Sequence, residues 1–150
     1  MLNYQYCQKI ILFSEDLQSI LLAKRKGEQD YDGVYSLVGG KMEHGDASFV
    51  AGLKREKDEE IGNAAMVDIC PFVTYNAMFQ KKDGNFVVLP HYIARFAGGH
   101  IQLNDEYSEY QWVKIDALRD FEPKIANIPE VVIWAERMSP ILSTKDFVAI

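Results

Sequence analysis

Three glutamates near the middle of the chain are spaced as neighbours on one face of a helix. Glu56, Glu59 and Glu60 stand at positions i, i+3 and i+4, and a helix with 3.6 residues per turn brings such positions together. Because like charges repel, their concentration is explained by a hard divalent cation, which prefers oxygen ligands. The spacing therefore predicts a metal site, with a solvated acidic helix face as the alternative.

The residues around the glutamates favour the metal site over the solvated face. A double glycine, Gly39–Gly40, lies upstream, and Gly62 follows the cluster in register. Arg55 stands directly before the first glutamate and four residues before Glu59. We expect its guanidinium to hold that carboxylate in place.

The segment that carries the glutamates, residues 48–61, has the features of a helix. Asp46 or Ser48 can cap its start, and Gly62 stands where helices often end. Gly52, one turn before the first glutamate, is expected to leave room for metal and phosphate, at a cost of up to about 1 kcal/mol in helix propensity. An apolar stripe should seat the helix on a sheet; its members are Phe49, Val50, Leu53 and Ile61.

Strand patterns dominate the rest of the chain. Residues 68–80 and 86–96 flank Asp83-Gly84, a dipeptide typical of a tight hairpin turn. The other predicted elements are strands at residues 6–14, 17–24, 34–38 and 110–115 and a helix at residues 129–138. No linker or repeat divides the chain, so we expect one domain over residues 1–150. Its predicted class is α/β (α+β), with a mixed, partly antiparallel sheet covered by helices.

Composition and charge narrow the classes of function. No apolar run approaches the roughly 18 residues of a membrane span, and the N-terminus lacks a signal-peptide pattern, so we expect a cytoplasmic protein without membrane partners. The net charge of −6 argues against an extended nucleic-acid-binding surface. It leaves an anionic small molecule possible, because a bound cation reverses the local charge. Cys7 and Cys70 are expected to be buried thiols.

The segments 39–46 and 55–62 resemble the Nudix box, written G-x(5)-E-x(7)-R-E-U-x-E-E-x-G-U, in which U is a large aliphatic residue. The first half matches at Gly40, with Asp46 in place of the first glutamate. The matches in the second half are Arg55, Glu56, Glu59, Glu60 and Gly62. The chain is therefore similar to the Nudix hydrolase family, the MutT-like nucleoside diphosphate-X hydrolases.

The resemblance extends over roughly residues 10–118 and implies an α/β/α sandwich that uses Mg²⁺ or Mn²⁺ as its cofactor. Arg55 would orient the glutamates. Glu106 matches a loop carboxylate that serves in some members as an additional ligand or as the general base. The implied metal ligands are Gly40, through its carbonyl, and Glu56, Glu59 and Glu60.

Three departures from the box stand out. Eight residues rather than seven separate Asp46 from Arg55. Lys57 replaces an aliphatic residue of the box, and we expect its stem to pack in the apolar stripe while the amine reaches solvent. Asn63 replaces the final aliphatic residue, and none of the three changes removes a metal ligand.

The predicted function is metal-dependent hydrolysis of a diphosphate linkage, in a nucleoside diphosphate joined to another group or in a nucleoside triphosphate. Arg25 and Lys41 are candidates for substrate phosphate contact, and ordinary surface charge explains each of them equally well. One alternative is a catalytically silent Nudix-fold module that senses a nucleotide and regulates a partner; another is a calcium-binding or otherwise structural metal domain. The predicted partner is a nucleotide-like small molecule, and the sequence does not indicate which one. A homodimer is a further possibility that the sequence does not decide.

Overall fold

A computed structural model describes residues 3–150 as an eight-stranded mixed sheet with one helix packed on each face. The helices are α1 (Phe49–Ile61) and α2 (Ile128–Met138). The strands are β1 (Tyr4–Tyr6), β2 (Lys9–Phe13), β3 (Ser19–Arg25), β4 (Tyr35–Ser36), β5 (Ala65–Gln80), β6 (Phe86–Gly99), β7 (Tyr107–Lys114) and β8 (Val148–Ala149). The expected α/β/α sandwich is confirmed.

The sheet runs in the order β4-β3-β2-β6-β5-β8, with β1 paired to β6 and β7 paired to β3. β1 and β2 lie parallel to β6, and the other pairs are antiparallel. The predicted hairpin is confirmed as β5–β6, which is longer than expected. The predicted strand at residues 34–38 is shortened to Tyr35–Ser36, because the chain then crosses to β2, where Val38 bridges Ile10.

Alternation along the strands divides the apolar core between the two faces of the sheet. On β2, Ile10 and Leu12 face α1, whereas Ile11 and Phe13 face α2. Both cysteines are free; Cys70 is buried and Cys7 is half-buried. No helix among residues 3–150 is long and apolar enough to cross a membrane.

Helix α1 begins and ends as its capping residues predict. The Ser48 side chain accepts the Ala51 N–H at 3.1 Å, and Gly62 follows the last turn with a φ of 91°. Leu53 is buried, as the apolar stripe requires, but the assignment of Phe49 to that stripe is wrong. Phe49 is 57% exposed, and its ring lies beside the Tyr6 ring at a centroid distance of 5.4 Å.

The expectation that the Lys57 amine reaches solvent is also wrong. Lys57 is 1% exposed. Its Nζ donates to the Ala65 carbonyl at 3.0 Å and lies 2.5 Å from Asp58 Oδ1. The start of β5 thus offers the ammonium an acceptor within the core, and a buried charge is tolerated when it is paired in this way.

Replacing Lys57 by leucine should therefore destabilise the protein. The change leaves the buried Ala65 carbonyl without its donor, and an orphaned buried acceptor costs about 1–3 kcal/mol in the free energy of unfolding. Urea denaturation measures the loss. The matched control is Lys54→Leu, which removes an exposed partner of the same Asp58 and should change stability little. A Lys57→Leu variant as stable as the wild type would contradict the importance of this contact.

Candidate active site

Two residues without side chains allow the backbone before α1 to approach its neighbours closely. Gly39 has a φ of 126°, and a Cβ added there would lie 2.2 Å from the Gln8 carbonyl oxygen. A Cβ added at Gly40 would lie 2.2 Å from Glu56 Oε2. Only glycine fits both positions, so the Gly39–Gly40 turn can contact both β2 and the glutamate face of α1.

Glu60 is the most deeply placed carboxylate of this face, at 4% exposure. Its Oε2 accepts the Gly39 N–H at 2.6 Å. Burial raises the pKa of Glu60 to about 7, against the opposing effects of the Lys9 charge and the Gly39 hydrogen bond. A carboxyl group held in such an environment is typical of a functional site.

Arg55 connects the other two glutamates of the predicted cluster. Its Nη1 donates to Glu56 Oε1 at 2.8 Å and to Glu59 Oε2 at 3.2 Å. Glu56 is buried, and this burial raises its pKa while the Arg55 guanidinium lowers it. The Glu59 side chain is 53% exposed. The structure thus brings Arg55 into contact with two of the three glutamates.

Asp46 anchors the loop before the helix through the same arginine. Arg55 Nε and Nη2 donate to its two carboxylate oxygens, each at 2.9 Å. Asp46 also accepts the Glu43 N–H at 2.8 Å. The Arg55 hydrogen bonds hold the pKa of Asp46 at about 2. The loop that is one residue longer than in the Nudix box therefore still places Asp46 in contact with the Arg55 guanidinium.

The expectation that Gly52 leaves room for metal and phosphate is wrong. A Cβ added at Gly52 would lie 2.8 Å from Gln8 Oε1 and 3.1 Å from Asp46 Oδ2. These two side chains already occupy the space beside the helix, because Gln8 is fully buried behind its first turn, where its Nε2 donates to the Phe49 carbonyl. Gly52 therefore serves the packing of α1.

The three glutamates share a face, but their carboxylates do not converge on one point. Among residues 3–150, no group of three or more His, Cys, Asp or Glu side chains is arranged to hold a metal ion. The reason lies in their partners: Arg55 holds Glu56 and Glu59, whereas Glu60 turns to Gly39.

The donors of this face nevertheless suit a hard divalent cation. They are oxygens, two of the carboxylates are buried, and a cation would relieve both their repulsion and their burial. The Gly40 carbonyl accepts the Gln8 N–H at 2.8 Å, and a carbonyl oxygen keeps a second lone pair for another partner.

The remaining predicted site residues are Glu106, Arg25 and Lys41. Glu106 is exposed, yet its charge raises the pKa of Glu60. Arg25 forms an ion pair with Glu28 and interacts electrostatically with Glu60. The Lys41 side chain is exposed, and only its backbone carbonyl joins the site, as an acceptor for Arg55 at 2.9 Å.

Two residues near the site were missed by the sequence interpretation. Lys9 donates from Nζ to the Gly39 carbonyl at 3.0 Å. Tyr107 is buried beside Glu60 and Ser36, and its pKa is raised by burial and by the Glu60 charge. A lone lysine at the start of the apolar run in β2 is the only sequence feature that could have drawn attention to Lys9.

Comparisons with known proteins bear on the family and on the fold. A family model of the NUDIX domain matches residues 4–134. The fold is similar to the MutT protein of Methanosarcina mazei Go1, with a TM-score of 0.72 and 22% identity over 92% of this chain and 96% of that one. It is also similar to a MutT structure from work on Aliivibrio salmonicida and Vibrio cholerae (TM-score 0.62, 26% identity, 90% and 99% covered).

A third similar structure is the NUDIX domain of Shewanella oneidensis NrtR, determined in complex with ADP ribose. Its TM-score is 0.69, with 18% identity over 95% of this chain and 91% of that one. No curated protein matches the chain significantly.

The burial of Glu60 predicts that Glu60→Gln stabilises the metal-free protein above neutral pH. Because the folded-state pKa of about 7 exceeds the ordinary value, the wild type loses stability as pH rises through 7, and a neutral glutamine does not. In EDTA at pH 8 the variant should melt about 3 °C or more higher. The difference should disappear near pH 4.5, where Glu60 is protonated. Glu59→Gln, at the exposed carboxylate, is the control, and a variant less stable than wild type at pH 8 would refute the argument.

Proposed function

The chain belongs to the Nudix domain family, and from this premise we propose that it hydrolyses a diphosphate linkage with the help of Mg²⁺ or Mn²⁺. The substrate class is a nucleoside diphosphate linked to another group, or a nucleoside triphosphate. The observation that carries the proposal is the buried Glu60 carboxylate beside Glu56, held by the Gly39 N–H at 2.6 Å. Burying two carboxylates costs free energy. A helix with a purely structural role would be more stable with apolar residues at these positions.

The proposed metal ligands are the Gly40 carbonyl, Glu56, Glu59 and Glu60. A divalent cation bound there would supply charge neutralisation for the diphosphate and would acidify the attacking water. Arg55 positions the ligands: it bonds Glu56 and Glu59 on one side and Asp46 on the other. Its contacts with Asp46 fix the guanidinium, so the two glutamates have a defined place before a cation binds.

Glu106 is the proposed loop carboxylate, either as the acceptor of the proton from water or as an additional ligand. Its backbone is fixed, since its carbonyl accepts the Lys26 N–H at 2.8 Å and its N–H bonds Asn104 Oδ1 at 3.0 Å. The carboxylate itself stays exposed. An exposed acid on a fixed loop close to Glu60 can approach substrate without first losing a protein partner.

Arg25 and Lys41 are proposed to contact the phosphates. Arg25 is the better supported of the two, because it interacts electrostatically with Glu60. A metal-loaded site needs such cations at its rim to attract a polyanion that carries more charge than the metal neutralises. The ADP ribose complex of the similar NUDIX domain supports a substrate containing a nucleoside diphosphate.

A nucleotide panel tests the proposal. With Mg²⁺ or Mn²⁺ the wild type should release phosphate or pyrophosphate from at least one nucleotide, measured separately, and EDTA should abolish the release. Glu59→Gln and Glu60→Gln should each lower kcat at least about a hundredfold, on the order of 3 kcal/mol of barrier. Asp58→Asn is the control, because the Asp58 carboxylate pairs with Lys54 and Lys57.

Full activity in chelated buffer, or an Asp58→Asn loss as large as that of Glu60→Gln, would overturn the assignment. Nucleotide binding without any hydrolysis would instead favour a silent sensing module.

Glu106→Gln should lower kcat by about tenfold or more with little change in melting temperature, because the exposed side chain contributes to catalysis and not to packing. Its matched control is Asp105→Asn, the neighbouring exposed acid of the same loop, which should leave kcat unchanged. If both variants keep the wild-type kcat and pH profile, the loop supplies neither a base nor a ligand.

A further inference from the structure

Lys9 places a positive charge on one side of the Gly39–Gly40 turn, and the glutamate face of α1 lies on the other side. It opens β2, opposite His91 of β6 in the parallel register, and its side chain is half-buried. Its Nζ donates to the Gly39 carbonyl at 3.0 Å. The ammonium is therefore fixed on the backbone of the turn and cannot move freely in solvent.

Gly39 links this ammonium directly to the most buried carboxylate. Its N–H donates to Glu60 Oε2 at 2.6 Å, while its carbonyl accepts from Lys9. The Lys9 ammonium and the Glu60 carboxylate are thus separated by the peptide groups of a single residue, Gly39. Burial raises the pKa of Glu60, and the charge of Lys9 is the largest of the effects that lower it. The same charge also lowers the pKa of Glu56.

Lys9 differs from the two arginines near the site, Arg55 and Arg25, in having no carboxylate partner among residues 3–150. Arg55 is bonded to Asp46, Glu56 and Glu59, and Arg25 is paired with Glu28. Within residues 3–150, Lys9 forms no ion pair within 4 Å. Its charge is not neutralised locally, so its field extends to the glutamates.

We propose that Lys9 is a fixed counter-charge beside Glu60 and Glu56, and that its positive charge repels a divalent cation entering the site. This inference rests on the proposed metal site. The protein without substrate then binds metal weakly, because part of the carboxylate charge is already compensated. Metal is retained mainly when the phosphates of the substrate add negative charge, so cation and nucleotide enter together.

Titration of the full chain with Mn²⁺ in the absence of nucleotide, followed by calorimetry or by the electron paramagnetic resonance of free Mn²⁺, tests the proposal. Lys9→Gln keeps a donor for the Gly39 carbonyl and removes the charge; it should bind Mn²⁺ at least about tenfold more tightly than the wild type. Lys9→Arg keeps the charge and should resemble the wild type. Lys24→Met removes a lysine that pairs with Glu109 and should also leave the affinity unchanged.

Melting curves of all variants show that each is folded, and Lys9→Met is a second neutral variant if the glutamine side chain does not fit. Unchanged or weaker Mn²⁺ binding by the neutral variants overturns the proposal, as does the absence of Mn²⁺ binding in every protein. Tighter binding by Lys9→Gln without any nucleotide hydrolysis by the wild type would refute the proposed function and leave the role of Lys9 intact.

Discussion

The contact between the Gly39–Gly40 backbone and the glutamate face of α1 is the interaction on which the site depends. Burying the Glu56 and Glu60 carboxylates costs free energy, and the Gly39 N–H and the Arg55 guanidinium offset part of that cost. A Cβ at Gly40 would collide with the Glu56 carboxylate, and a Cβ at Gly39 would collide with the Gln8 carbonyl. The rotation and depth of α1 are therefore fixed by main-chain contacts as well as by its apolar stripe.

Charges around this contact are arranged in two layers. Arg55 lies on the solvent side and donates hydrogen bonds to three carboxylates. Two of them, Glu56 and Glu59, are proposed metal ligands, and the third, Asp46, is not. Lys9 lies on the sheet side, behind Gly39. Each cation reaches the site through a different element, so a change in one leaves the other in place. Such separate supports hold buried charges in a defined geometry.

Local patterns in the sequence were sufficient for both helices, for the long β5–β6 hairpin and for the face of α1 that carries the glutamates, but not for the short strands β1 and β8. The Asp83-Gly84 turn, the Ser48 cap and the Gly62 stop are each determined by neighbouring residues, and the structure agrees with all three. Periodicity identifies a face but not what lies opposite it. The partner of Lys57 is the Ala65 carbonyl at the start of the next strand, and the sequence does not indicate that acceptor.

The same limit explains the errors at Gly52 and the omission of Lys9. The space beside Gly52 is filled by Gln8, and Lys9 meets Gly39, in both cases because β2 lies next to the glycine turn. That neighbourhood arises from long-range pairing in the sheet. The pattern of a single segment contains no information about it.

The parallel pairing of β2 with β6 has a consequence for how the protein acquires its site. β2 lies near the start of the chain and β6 in its second half, and parallel strands need a long crossover between them. Loop closure of this length is slow compared with helix formation. Helix α1 is local in sequence, whereas the Gly39 partner of Glu60 belongs to a turn that lies against the residues at the start of β2. Burial of the Glu60 carboxylate therefore requires the assembled sheet beside the helix as well as the helix itself.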